Sequence, residues 1–122
     1  MVRPEEGVVV MKHLLCTLHG PVDDERLVKN ALLDACREAG AMVVGIQDHS
    51  FFPEGYSAVV LLGESHASIH TWPDLRGAAL DFFCCSSDPN IDGFLSVWDR
   101  FGFVVQDQQV IERSIPGSPE ED

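Results

Sequence analysis

Two stretches of helical periodicity, each closed by a glycine, interrupt a chain otherwise made of short apolar runs, and this alternation restricts the fold more than any other feature. In the first, Asp23 and Asp24 offer caps, Leu27, Val28, Ala31, Leu32, Ala35 and Cys36 recur on one face, and Gly40 stops the helix. In the second, Asp88 can cap and Pro89 suits the first turn, where a missing N–H costs nothing. Ile91, Phe94, Leu95, Trp98 and Phe101 form its buried face, and Gly102 ends it. Residues 8–18, 41–46, 58–62, 68–72, 78–85 and 103–111 read as strands, with a loop holding Phe51, Phe52, Pro53 and Gly55 between the second and third. The order predicts an α+β fold, a two-layer α/β sandwich with an antiparallel sheet and both helices on one face. The residues up to Gly7 and the tail after Ser114 read as frayed ends.

The 122 residues are read as a single domain, 1–122, large enough to bury a core. A net charge of −12 with only eight scattered basic residues argues against nucleic-acid binding, which requires clustered Lys and Arg. The acidic surface either draws a cationic substrate or only promotes solubility, and part of the charge lies in Glu120, Glu121 and Asp122. There is no run of about eighteen apolar residues, and Glu5 and Glu6 stand where a signal peptide would be basic. The expectation is a soluble, cytoplasmic protein without membrane contact. Adjacent Cys84 and Cys85 are a poor start for a disulfide framework, so these two, with Cys16 and Cys36, are expected as free thiols.

The candidate chemistry lies in Gly63-Glu64-Ser65-His66-Ala67-Ser68-Ile69-His70-Thr71-Trp72-Pro73-Asp74. A serine directly after a peptide bond can attack the preceding carbonyl and convert the amide to an ester. β-Elimination and hydrolysis of the resulting dehydroalanine then leave a pyruvoyl group. Such a step needs a strained or well-placed peptide, oxyanion stabilisation and a base for the serine α-proton. Ser65 supplies the nucleophile and His70 is the candidate base, carried back towards Ser65 if a turn opens there. The plainer alternative for Ser65 is an ordinary turn serine.

This segment resembles the self-cleavage segment of the prokaryotic S-adenosylmethionine decarboxylases. The likeness includes Gly55-Tyr56-Ser57-Ala58-Val59-Val60, Ile69-His70-Thr71-Trp72-Pro73-Asp74, Asp81-Phe82-Phe83-Cys84-Cys85, His13-Leu14-Leu15 and Phe52-Pro53. The resemblance implies cleavage of the Glu64–Ser65 bond into a β chain, 1–64, and an α chain, 65–122, with the pyruvoyl cofactor derived from Ser65. It makes His70 the processing base, Ser57 an assistant in processing and Cys85, not Cys84, the proton donor. It further implies that the substrate amine forms a Schiff base with the ketone, which draws off the electrons released as carbon dioxide leaves. Asp74, Phe52, His66 and Trp72 become candidates for substrate binding. The assembly implied is a homodimer of αβ units, with both protomers lining each site, serving polyamine synthesis.

Three departures bear on substrate choice. Asp74 replaces the family's usual Glu, Thr17 stands where an Asp or Glu is common, and Leu75-Arg76-Gly77 replaces an aromatic segment. S-adenosylmethionine is the first reading, and ornithine or arginine the alternative within the same fold. A non-catalytic relative or metal-binding protein is the reading from another class, with His66, His70, Cys84 and Cys85 as its imaginable ligands. The spacing lacks any specific zinc pattern, so no metal is assigned.

Overall fold

A computed structural model describes residues 8–85 and 88–117. Of the ends expected to fray, up to Gly7 and after Ser114, residues 1–7 and 118–122 lie outside the described residues, whereas Ile115 belongs to the last strand. The elements run β1 (Val9–His19), α1 (Glu25–Glu38), β2 (Val43–Ser50), β3 (Tyr56–Leu62), β4 (Ser65–Trp72), β5 (Gly77–Cys84), α2 (Ile91–Arg100) and β6 (Val104–Ile115), with a short 3₁₀ turn at Pro73–Leu75. The six strands form one sheet in the order β2-β3-β4-β5-β1-β6, and every neighbouring pair is antiparallel. This is the expected two-layer α+β sandwich.

Helix α1 starts where Asp24 accepts a hydrogen bond from the Leu27 N–H, and it buries Val28, Ala31, Leu32, Ala35 and Cys36. Gly40, left-handed at φ 89°, lets the chain turn away after it. Helix α2 buries Phe94, Val97 and Trp98. Its cap is Asn90 and not the expected Asp88, because Asn90 lies three residues before the Gly93 N–H that its side chain accepts from at 3.0 Å. Both helices rest on the sheet face made by Leu14, Cys16 and Leu18 of β1, Ala58, Val60 and Leu62 of β3, Ala67 and Ile69 of β4, and Ala78, Leu80 and Phe82 of β5. Phe82 stacks on Phe94 with ring centroids 4.5 Å apart, joining sheet to helix. Each large side chain buried there contributes about 1.5–3 kcal/mol.

Strand alternation sends the intervening residues to the opposite face, which no helix covers. That open face carries His13, Leu15 and Thr17 of β1, Ser57 of β3, His66, Ser68 and His70 of β4, and Asp81 and Phe83 of β5. Exposed apolar residues Val44, Val59, Leu61, Val104, Ile111 and Ile115 lie around them. Strand β4 begins three residues earlier than expected, at Ser65. Leu62 pairs with Ser65, so Gly63 and Glu64 are the whole connection between β3 and β4. Among the described residues no helix is long and apolar enough to cross a membrane.

Candidate active site

The hairpin connection sets the geometry at Ser65. Leu62 is anchored in the core, and the Gly63 N–H donates to the Met42 carbonyl at 3.1 Å, tying the turn to the chain entering β2. Glu64 is left-handed, at φ 66°, a conformation that costs an ordinary side chain about 1–2 kcal/mol. Ser65, buried at 9% exposure, accepts a hydrogen bond on its Oγ from the Cys85 N–H at 3.1 Å. Residues twenty apart in sequence thus meet at the end of the sheet. Cys84 ends β5 with its side chain in the core cluster, whereas Cys85 follows it beside Ser65, as alternation along a strand requires.

The Cys85 thiol is pushed up from its ordinary range, first by burial, then by Cys84 and the Glu64 carboxylate, with the Ser65 hydrogen bond opposing them. At neutral pH Cys85 is therefore a protonated thiol, the state a proton donor needs. Cys16 and Cys36 are pushed to about 12, mainly by burial, which makes them inert. None of the four cysteines is in a disulfide.

The expectation that His70 folds back on Ser65 is corrected. β4 is an unbroken strand, and five residues at ~3.3 Å each put His70 about 16 Å from Ser65. His70 instead lies opposite Ser57, with Ser57 Oγ 2.7 Å from His70 Nδ1. These two line a cleft of about 320 Å³ together with Phe51, Glu54, Trp72 and Asp74. Trp72 is half exposed there, and Asp74 sits in the 3₁₀ turn that follows it. Phe52 is 98% exposed on the preceding loop, and Phe51 takes the place in the cleft. His66 belongs to the Ser65 end, stacked on Phe83 with centroids 5.2 Å apart. His66 and His70 are about 13 Å apart along β4, too far to share an ion. Among the described residues no group of three or more His, Cys, Asp or Glu side chains could hold a metal.

Between the two ends lies a polar cluster that sequence reading did not assemble. Asp81 Oδ2 is 2.6 Å from His13 Nε2 and 3.9 Å from His66 Nε2, and the Ser68 hydroxyl donates to Asp81 Oδ1. The three strands involved are β1, β4 and β5, far apart in sequence but adjacent in the sheet, and only their register brings these residues together.

A profile of the family described as S-adenosylmethionine decarboxylase matches residues 12–113. The chain belongs to that family. Relatives named S-adenosylmethionine decarboxylase proenzyme include one from Methanococcus maripaludis strain C5, 42% identical over 61% of this chain and 64% of its own length. Another, from Syntrophomonas wolfei, is 36% identical over 78% of this chain and 74% of its own length. The match thus spans a little under two thirds of the Methanococcus relative. The adenosylmethionine decarboxylase of Aquifex aeolicus has the same fold, with a TM-score of 0.64 and 24% identity, covering 93% of this chain and 96% of that one. Within the S-adenosylmethionine decarboxylase family's matched region lie both halves of the candidate site, Ser65 with Cys85 and Ser57 with His70.

Proposed function

We propose that this chain is the proenzyme of a pyruvoyl-dependent decarboxylase acting on S-adenosylmethionine, in the service of polyamine synthesis in the cytoplasm. The observation that carries the reading is the contact between Ser65 and Cys85, a nucleophile directly after a left-handed residue, touching the candidate proton donor. Cleavage between Glu64 and Ser65 would yield a β chain, 1–64, and an α chain, 65–122. The buried position of Ser65 at the head of β4 fits a pyruvoyl group, which is small and needs water kept away. When formed, that group supplies a ketone that holds the substrate amine and takes up the electrons released with carbon dioxide. Cys85, held as a thiol by burial, delivers a proton to the substrate carbon. The acidic chain favours approach of a cationic sulfonium substrate, and Asp74 and Trp72 offer a carboxylate for ribose hydroxyls and a ring for stacking.

The 16 Å between Ser65 and His70 supports a homodimer of αβ units. A two-fold axis through the middle of the open face would lay the Ser57–His70 end of one copy over the Ser65–Cys85 end of the other. The uncovered apolar residues of that face supply the contact area. In each composite site His70 would remove the Ser65 α-proton and Ser57 would help hold the developing oxyanion, both from the partner copy.

The intact mass of the denatured protein, beside a Ser65→Ala control, tests the cleavage. Two fragments, the second beginning with pyruvoyl, are expected for the wild type and a single mass for the control. An uncleaved wild type overturns the reading. Release of carbon dioxide from S-adenosylmethionine, against ornithine and arginine, tests the substrate. Thr17, neutral where Asp or Glu is common, lines a second cavity with Asp81 and Asp107 and is one of the departures that keep the other two substrates in the comparison.

A further inference from the structure

We infer that Glu64 is a strained element of the self-cleavage machinery, a positioning residue whose left-handed backbone is relieved as the chain breaks. The inference rests on the self-cleavage reading above. A two-residue connection with a left-handed second position ordinarily takes glycine or asparagine there, because neither suffers the Cβ clash. Here the glycine stands one residue early. Gly63 is not left-handed, and the strain falls on Glu64 at φ 66°. Four anchors prevent its escape while the chain is whole. Leu62 is buried, Gly63 is bonded to Met42, the Leu62–Ser65 pair closes the ladder, and Ser65 is held by the Cys85 N–H. Strain of this kind persists only where surrounding structure over-determines it.

The chemistry severs the peptide link through which the anchors on Ser65 hold Glu64. Ser65 Oγ attacks the Glu64 carbonyl carbon, the C–O bond forms as the Glu64–Ser65 C–N bond breaks, and the hydroxyl proton passes to the Ser65 nitrogen. β-Elimination then releases the Glu64 carboxylate, and one water converts the remaining dehydroalanine to pyruvoyl and ammonia. From the first step onward Glu64 is no longer joined to the Ser65 nitrogen, so its φ can leave the left-handed region. Strain present in the intact turn and lost along the reaction lowers the barrier by as much of it as has gone at the transition state.

The test compares substitutions at position 64 by cleavage rate, followed as intact mass in freshly purified full-length protein. E64Q sets the reference, since it keeps the strain and lacks the charge. E64G, which is at ease in the left-handed region, is expected to cleave up to about five- to thirty-fold more slowly than E64Q, and E64N to fall between. In the uncleavable Ser65→Ala background the order of stability should reverse, E64G melting above E64Q. E64G cleaving as fast as E64Q, or failing to raise the melting temperature, overturns the inference while leaving self-cleavage intact. A wild type that never cleaves overturns both.

Discussion

A mixture of two inactive variants should recover self-cleavage if each site is shared between copies. The perturbation is Ser65→Ala in one chain and His70→Ala in the other. A proton transfer requires an approach of about 3 Å, whereas β4 holds the two positions about 16 Å apart in one copy. No side-chain rotation closes that gap, so a His70 that acts as the base must act on the Ser65 of a partner. In a mixed dimer one composite site has both Ser65 and His70 and the other has neither. Random pairing of equal amounts makes about half of all dimers mixed. About half of the H70A chains should then gain an amino-terminal pyruvoyl, and none of the S65A chains. The assay is co-expression, or subunit exchange, with chains told apart by mass in a denaturing measurement. If the mixture yields no more pyruvoyl than H70A alone, the shared site is refuted, and with it the two-fold arrangement of the open faces.

Further outcomes are expected elsewhere in the molecule. In the Ser65→Ala protein, alkylation of Cys85 followed residue by residue in mass spectra should set in above the ordinary thiol range. Glu64→Gln in that background should move the midpoint to lower pH, because removing a nearby negative charge makes the thiolate easier to form; an unmoved midpoint would show that Glu64 does not act on Cys85. Asp81→Ala leaves His13 and Ser68 without their shared acceptor and should cost about 1–3 kcal/mol in urea unfolding. A variant as stable as wild type would show the cluster to be indifferent. Phe94→Ala removes a wholly buried ring stacked on Phe82 and should cost about 3–5 kcal/mol, read from the denaturation midpoint. A loss below about 1 kcal/mol would mean that the layer between helix and sheet is not packed as described.

The helices and the sheet were legible because each buries one face, and a buried face writes its period into the sequence. Leu27 to Cys36 gave α1, and the apolar runs gave most of the strands. Strand β4 reads short in the sequence because Ser65 and His66 are polar and Ala67 alone does not extend an apolar run, and Gly63-Glu64 lacks the Asn-Gly or Asp-Gly signal of a tight hairpin. The sequence places strand β2 too early for a related reason. It lies at the sheet edge, where polar Gln47 to Ser50 pair with β3 without being buried. The chemical residues were found through the pattern that surrounds Ser65, but their distribution was not. Distance along an extended strand decides that Ser65 meets Cys85 and not His70, and that fact depends on where β4 begins. The His13–Asp81–Ser68 cluster had no linear signal at all, since it exists only through the lateral order of β1, β4 and β5.

The strand order also determines what would become of the molecule if it were cut after Glu64. A break after Glu64 gives each fragment three strands, β1, β2 and β3 in one and β4, β5 and β6 in the other. The sheet does not keep them in separate blocks, because β1 lies between β5 and β6. Neither fragment can close a sheet or cover a helix without the other, so the pieces stay interleaved although no covalent bond joins them. Unfolding, by contrast, would separate them into two partners that must find each other again, and reassembly would depend on concentration. An uncut precursor would fold as one chain, and a cut protein would keep a structure that it reached before the cut.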